Sequence, residues 1–283
     1  TPSSAPDSGT ITTRGAGSGT ALVPMSFSHL GASGSVTFAS GVAGAREDVL
    51  ELNGTADSDT FTVNSLADRV QIANPTGGFV TVDLNTSGIN LLELRGLNGD
   101  DTFNLSATLP YTAGTLVDGG DPSASDVLNL TGATGAIVED LAAQTVTGYG
   151  GTVSFLGVEV VNVSATGAAA TLLINATAGP DALAYTPTGA TAGTVTRTGQ
   201  NVATNFTGVA GTFTLDALGG ADTVTVNGQS NIDSISVGRG ATTTVQVDGL
   251  KTVSLPAANT EALVVAADLG DDVISVTGSG GPG

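Results

Sequence analysis

The chain contains no cysteine and no tryptophan, and its 283 residues include one histidine, one methionine and one lysine. Without cysteine it has no disulfides, no zinc–thiolate sites and no cysteine nucleophile. Only 7 residues are Lys or Arg, against 26 Asp or Glu, which gives a formal charge of −19. Nucleic acids and anionic membrane surfaces bind basic patches, so this balance argues against both as partners.

Long apolar runs are also absent from the sequence. No stretch reaches the ~18 consecutive apolar residues of a membrane span, so we expect no membrane span in this chain. A basic segment followed by an apolar stretch, which marks a signal peptide, does not follow Thr1. We expect an extracellular or cell-surface protein after removal of a signal peptide that is not present in this chain.

Glycine, threonine and alternating apolar residues dominate what is there. The chain has 41 Gly and 42 Thr, and 40% of its residues are hydrophobic. Runs such as Phe79–Leu84 and Val158–Val163 alternate apolar and polar side chains with a period of two, which indicates β-strands. No window of eleven or more residues has helical apolar spacing, so the sequence predicts an all-β protein.

One pattern repeats along the chain. Leu50–Val63 and Leu92–Leu105 align in the same register: two alternating apolar residues, a turn with Gly or Asp, then Asp-x-apolar-x-apolar. Further copies cover 172–185, 213–226 and 263–276. The aspartates that anchor the turns are Asp59, Asp101, Asp126, Asp181, Asp222 and Asp272.

These repeats predict a parallel β-solenoid (β-helix). A unit of ~40 residues is too small to bury its own apolar face, so the units must stack. Strands of ~5 residues and tight turns give coils of ~20 residues, hence roughly eleven coils. The predicted inward residues are Leu50, Leu52, Phe61, Val63, Leu92, Leu94, Phe103, Leu105, Leu215, Val224, Val226, Val265, Ile274 and Val276. Because the anchoring aspartates are unevenly spaced, tandem antiparallel β-sandwich domains remain the alternative.

Composition divides the chain into three parts. Residues 1–47 are rich in Gly, Ser and Pro and predict an extended arm or linker, which could add a strand to another subunit. Residues 48–276 form the predicted β-repeat domain. Residues 277–283 predict a Gly-rich tail.

The repeats resemble a known family. Gly219-Gly220-Ala221-Asp222-Thr223-Val224 and Leu97–Phe103 are distantly similar to the haemolysin-type calcium-binding repeats of secreted toxin-like proteins. Over 48–276 the chain more closely resembles the degenerate Gly- and Asp-rich β-repeat segments of large bacterial surface and secreted proteins.

Carboxylates at the turns are candidate calcium ligands, because Ca²⁺ binds carboxylate oxygens. The candidates are Asp57, Asp59, Asp100, Asp101, Asp222, Asp271 and Asp272. The alternative is that these carboxylates cap the turns by accepting backbone N–H groups.

Asparagines in Asn-x-Ser/Thr sequences are candidate glycosylation sites. They are Asn53, Asn85, Asn104, Asn129, Asn162, Asn175 and Asn205. The alternative is that a Thr-rich β-protein contains such sequences by composition alone.

No catalytic motif emerges from the sequence. His29 has no acidic residue placed to orient it, and Lys251 lies in what reads as a plain turn. We therefore expect no enzyme and no cofactor apart from Ca²⁺. The predicted function is a structural subunit of an extracellular fibre or surface assembly, whose partner is the protein itself and to which glycans could be attached. The alternative is a calcium-stabilised repeat module of an adhesin or toxin-like secreted protein that binds carbohydrate or a receptor.

Overall fold

The computed structural model describes residues 9–11, 25–27, 35–37, 49–64, 69–73, 82–85, 89–121 and 125–278. Within them the protein is all-β, with a single 3₁₀ turn at Ala257–Asn259. Parallel strands stack as the coils of a β-solenoid, which confirms the predicted fold class over tandem antiparallel sandwiches. Among the described residues no helix is long and apolar enough to cross a membrane.

The strands are numbered in chain order. They are β1 Gly9–Ile11, β2 Met25–Phe27, β3 Ser35–Thr37, β4 Val49–Asn53, β5 Thr60–Asn64, β6 Arg69–Ala73, β7 Val82–Asn85, β8 Leu91–Arg95, β9 Thr102–Ser106, β10 Gly114–Asp118, β11 Val127–Ala133, β12 Ala136–Asp140, β13 Thr145–Tyr149, β14 Gly151–Leu156, β15 Val160–Ala165, β16 Thr171–Asn175, β17 Ala182–Gly189, β18 Ala192–Arg197, β19 Ala203–Thr207, β20 Phe213–Asp216, β21 Thr223–Asn227, β22 Ser234–Gly238, β23 Thr242–Val247, β24 Val253–Pro256, β25 Ala262–Ala266 and β26 Val273–Thr277.

Alternation along each strand builds the core. In β9, Phe103 and Leu105 are buried while Thr102 and Asn104 are only half-buried. The ring of Phe103 stacks on that of Phe61 in the neighbouring β5, with centroids 4.9 Å apart. The predicted inward residues are buried as far as Val226, whereas the last three, on β25 and β26, are not.

The chain divides into two compact units, residues 1–129 with 150–158 (unit 1) and residues 130–149 with 159–283 (unit 2). In unit 1, sheet 1 has the parallel order β14-β10-β8-β4. Sheet 2 has the order β9-β5-β6-β7-β3, in which β5-β6-β7 is an antiparallel meander and the outer pairs are parallel.

Unit 2 also has two sheets. In its sheet 1, β12, β16, β20 and β24 are parallel neighbours, β24-β23-β22 is an antiparallel meander, and β26 pairs in parallel with β22. In its sheet 2, β15 and β19 are parallel, β19-β18-β17 is a meander, and β21 and β25 follow in parallel.

The meanders explain the uneven spacing of the anchoring aspartates. Asp101 and Asp126 bound a plain coil and are 25 residues apart. Asp59 and Asp101 are 42 residues apart, because β6 and β7 are inserted between them. Inserted strands widen a sheet without adding a coil, so the expectation of roughly eleven coils was too high.

Little of the predicted N-terminal arm is described. β1 and β2 pair with each other in antiparallel fashion, and β3 pairs with β7. The remainder of 1–47, including His29, and residues 279–283 of the tail lie outside the described residues. That the arm joins another subunit stays a prediction.

Candidate functional site

Coils pass from sheet 1 to sheet 2 at corners that end in an aspartate. In unit 1, β4 leads to β5 through Gly54–Asp59. The Thr55 N–H donates to Asp59 Oδ2 at 2.5 Å, and the Thr55 hydroxyl donates to the same oxygen at 3.0 Å. At this corner the carboxylate caps the turn amide, which is the alternative to calcium binding that the sequence left open.

The corner aspartates also bind the neighbouring coil. The N–H of Asp59 donates to Asp101 Oδ1 and that of Asp101 to Asp126 Oδ1, both at 2.7 Å. In return, the Thr102 and Val127 N–H groups donate to the carbonyls of Asp59 and Asp101 at 2.8 Å. We call this stack of reciprocal hydrogen bonds an aspartate ladder. It ties the corners of consecutive coils together in a buried setting.

Unit 2 contains two such ladders. In one, the N–H of Asp181 donates to Asp222 Oδ1 at 2.8 Å and that of Asp222 to Glu261 Oε2 at 2.9 Å. In the other, at corners leading from sheet 2 back to sheet 1, the N–H of Asp233 donates to Asp272 Oδ1 at 2.9 Å. The sequence pattern did not single out Glu261, because the repeats were aligned on an aspartate and this position holds a glutamate.

The seven candidate calcium ligands differ in burial. Asp59, Asp101 and Asp222 are buried, Asp272 is half-buried, and Asp57, Asp100 and Asp271 are exposed. Carboxylates of the buried members accept backbone N–H groups. Among the described residues no group of three or more His, Cys, Asp or Glu could hold a metal ion. Calcium binding stays a prediction.

Burial and like charge act on the ladder of unit 1. Burial raises the pKa of Asp101 to about 7, and the negative charges of Asp126 and Asp59 add to this, while the hydrogen bond from the Asp59 N–H opposes it. A Cβ on Gly96 would lie 2.0 Å from Asp101 Oδ2, so a glycine makes room for the carboxyl.

A meander interrupts the ladder at two corners of unit 2. At the first, Arg197 on β18 forms an ion pair with Asp181 through Nε and Oδ1. Asp181 Oδ2 accepts the N–H and hydroxyl of Thr177 at 2.8 and 2.9 Å. The guanidinium thus occupies the place that a neighbouring corner amide takes in an uninterrupted ladder.

At the second interrupted corner, Asp233 faces another carboxylate. Its Oδ2 accepts the Gln229 N–H at 2.7 Å, and its buried Oδ1 has no hydrogen-bond partner in the described chain. Asp248 Oδ1 accepts the neighbouring Ser234 N–H at 2.7 Å. Burial raises the pKa of Asp233, and Asp248 and Asp272 raise it further, against the Gln229 hydrogen bond.

Glu139 lies inside the core of unit 2. Its side chain points inward from β12 and is fully buried. Oε1 accepts the Thr204 hydroxyl at 2.8 Å, and Oε2 has no partner within the described residues. Burial raises the pKa of Glu139 to about 7, against the Thr204 hydrogen bond. The sequence signal for a buried Glu139 was its inward position in the alternation of Ala136–Asp140.

Four of the glycosylation candidates pair across strands. Asn129 Nδ2 donates to Asn104 Oδ1 at 2.8 Å in unit 1, and Asn205 Nδ2 donates to Asn162 Oδ1 at 3.0 Å in unit 2. These pairs give the asparagines a role in joining coils. Asn53 Nδ2 contacts Glu51 Oε1 at 3.0 Å, Asn175 is half-buried on β16, and Asn85 belongs to β7. Glycosylation stays a prediction.

Lys251 is a structural residue. It is 7% exposed, its Nζ donates to the Gly211 carbonyl, and burial lowers its pKa. The Tyr185 hydroxyl donates to the Lys251 carbonyl at 2.7 Å. The lysine therefore fastens its turn to neighbouring segments of unit 2.

The last coil of unit 2 is open among the described residues. β25 and β26 are the edge strands of their sheets as described. Ile274 and Val276 on β26 are 47% and 60% exposed, whereas Ile235 and Val237, their register partners on β22, are 0% and 6% exposed. The amides of Glu261 and Asp272 have no acceptor within the described chain, although the preceding rungs of both ladders are formed.

A comparison with family models, with curated proteins and with solved structures gave no match.

Proposed function

We propose that the protein is a structural subunit of an extracellular fibre or surface assembly. It associates with itself through open β edges, with the N-terminal arm as a second route, and it carries out no catalysis. The observation that carries this proposal is the open last coil, where apolar residues that would face a core remain exposed.

Edge strands and exposed apolar patches both favour association. An unpaired edge offers a row of N–H and C=O groups to another strand, and soluble monomers rarely leave a contiguous apolar surface uncovered. β25 and β26 combine the two features with unfinished ladders. Covering them with a further coil would repeat contacts that the preceding coils already make.

The use of polar groups in the fold also supports a structural role. Asp59, Asp101 and Asp222 accept hydrogen bonds from the backbone or belong to ladders, and Lys251 binds a carbonyl. These groups join coil to coil. None of these contacts presents a convergent acid and base to a substrate.

Sedimentation velocity and electron microscopy of the purified chain test this proposal, with and without a calcium chelator. We expect ordered oligomers or filaments under both conditions and a melting temperature that the chelator leaves unchanged. Deleting residues 1–30 separates association through the arm from association through the edges. A chain that stays monomeric at every concentration contradicts the proposal, and a monomer that melts earlier in chelator favours the calcium-stabilised adhesin or toxin-like module.

A further inference from the structure

We infer that the open end of unit 2 receives unit 1 of a second copy of the chain, head to tail, with β26 beside β4 and β25 beside β3 of that copy. This inference rests on the proposed function and specifies the contact by which subunits join. Its basis is the pair of edge strands at each end, the direction of their free backbone groups and the apolar residues left exposed.

Unit 2 ends with two edge strands that follow each other in the chain. β25 in sheet 2 leads to β26 in sheet 1 through the corner at Asp272. In the described chain no strand follows β25 in sheet 2 or β26 in sheet 1. Inward residues of the preceding strands, such as Ile235 on β22 and Val245 on β23, are buried, so the open surface lies at β25 and β26.

Unit 1 begins with two edge strands that also follow each other in the chain. β3 lies in sheet 2 and the next strand, β4, lies in sheet 1. In the described chain no strand lies beyond β3 in sheet 2 or beyond β4 in sheet 1.

The two ends fit each other. When β3 of one copy follows β25 of another in sheet 2, β4 follows β26 in sheet 1. All four joining strands are parallel to their own neighbours, which matches this arrangement.

The backbone restricts the register between β26 and β4. The Val273 N–H donates to the Asp233 carbonyl on the β22 side, so the backbone groups of Ile274 and Val276 face the free edge. The Gly54 N–H donates to the Arg95 carbonyl on the β8 side, so those of Glu51 and its alternate neighbours face the free edge of β4. A parallel pair then places Ile274 opposite Leu50 or Leu52, and of the two only Leu50 brings Val276 opposite a further apolar side chain of β4.

The same register aligns the sequences of the two strands. Leu52 meets Val276, so apolar residues stack on apolar residues as they do between β4 and β8. Asp48-Val49-Leu50-Glu51-Leu52 and Asp272-Val273-Ile274-Ser275-Val276 share the pattern Asp-Val-apolar-polar-apolar. A tail-to-tail contact lacks this match, because two copies related by a two-fold axis would pair the same edge strand in antiparallel fashion.

Cysteine cross-linking tests this register, because the chain has no native cysteine. Glu51 and Ser275 are exposed register partners in the inferred contact, with Cα atoms about 5 Å apart, within the range for a disulfide. We expect Glu51→Cys/Ser275→Cys to give a ladder of disulfide-linked oligomers on mild oxidation. The matched control Glu51→Cys/Thr277→Cys moves one thiol by two residues, to about 8 Å, and should give at least roughly tenfold less cross-linked product.

Val276→Lys provides an independent measurement. The lysine places a charge where Leu52 of the incoming copy packs, so the variant should raise the concentration needed for assembly by roughly tenfold or more. Ser275→Lys, on the opposite face of the same strand, is its control and should change this concentration much less. Equal effects of the two lysines would overturn the inferred packing.

The outcomes separate this inference from the proposed function. Filaments without the cross-linked ladder would overturn the head-to-tail register and leave the structural role in place. Disulfide-linked dimers of the single variant Ser275→Cys would indicate a tail-to-tail contact and would also overturn the head-to-tail inference. A chain that forms neither filaments nor cross-links would overturn both.

Discussion

Two corners of unit 2 share a backbone design and differ in the charge that faces them. Asp181 and Asp233 are both buried, both cap their own turn, and both stand where a meander interrupts a ladder. The meander brings Arg197 to Asp181 but Asp248 to Asp233. Both corners therefore use an aspartate oxygen as a hydrogen-bond acceptor. Whether the negative charge of that aspartate is neutralised depends on the residue that the inserted strand brings beside it.

The difference between the two corners shows that an uninterrupted ladder supplies a hydrogen-bond donor to each aspartate carboxylate. In an uninterrupted ladder each carboxylate receives the N–H of the preceding corner, as Asp101 receives that of Asp59. Arg197 replaces that donor with a cation, whereas the second corner leaves Asp233 Oδ1 without a partner among the described residues. A buried ion pair is costly to break, and an unpaired buried carboxyl favours its protonated form.

The largest expected effect comes from Asp181→Asn. The substitution leaves the Arg197 guanidinium without its counter-charge, so we expect the free energy of unfolding to fall by about 3–5 kcal/mol. Urea unfolding followed by circular dichroism measures it. Asp57→Asn, at an exposed position in a unit 1 corner, is the control and should change stability by less than about 0.5 kcal/mol. A loss as small as the control's would mean that the ion pair contributes nothing.

Glu139→Gln extends the comparison to a carboxyl in the core. The pKa of Glu139 is about 7 in the folded chain and 4.5 is its ordinary value. Below the ordinary value both states are protonated; between the two values only the unfolded state ionises, so stability falls as the pH rises and the loss is complete above about 7. We expect Glu139→Gln to raise stability by about 3 kcal/mol at pH 8 and to change it little at pH 4.

Unfolding experiments across this pH range check the prediction for Glu139. Glu51→Gln, at an exposed position, is the matched control and should keep the slope of the parent chain. Asp101, whose pKa is also raised to about 7, contributes a slope of the same sign that the Glu139 variant retains. A Glu139→Gln chain as pH-dependent as the parent would contradict the prediction.

Asp248→Asn makes the smallest change and bears directly on the second corner. Asparagine keeps an oxygen for the Ser234 N–H and tolerates the left-handed backbone of this residue, whose φ is +50°. It removes the negative charge beside Asp233, so we expect a gain of about 1 kcal/mol or less at pH 8 because solvent screens this exposed group.

The pH dependence of that gain has a definite sign. The raised pKa of Asp233 contributes stability at low pH that is lost as the pH rises through its folded value. The Asp248→Asn gain should therefore shrink on acidification, as measured by unfolding at several pH values. A gain that grows in acid would show that the two carboxyls do not interact as described.

Alternation in the sequence predicted the core but not the meanders. Phe61, Phe103 and Val226 are buried as expected, because a period of two alone decides which face of a strand is inward. β6 and β18 have the same alternation as strands that build coils, so the sequence did not distinguish an inserted strand from a new coil. Residues brought in by meanders, such as Arg197 and Asp248, depend on that choice and were missed for the same reason.

The last strands show a second limit of the alternation. It marked Ile274 and Val276 as inward, yet they are exposed on β26, which is an edge strand among the described residues. An alternating pattern states which face a residue occupies, and burial requires a neighbour in addition. The capping role of the corner aspartates was open in the sequence for a related reason, since an Asp-rich turn suits both a cation and a backbone amide.

Each meander lengthens one sheet by two strands, about 10 Å, and leaves the opposite sheet as it was. In unit 2 the insertion at β17–β19 lengthens sheet 2 and that at β22–β24 lengthens sheet 1. These two insertions add the same number of strands to both sheets, so losing either hairpin alone would leave one sheet two strands longer than the other.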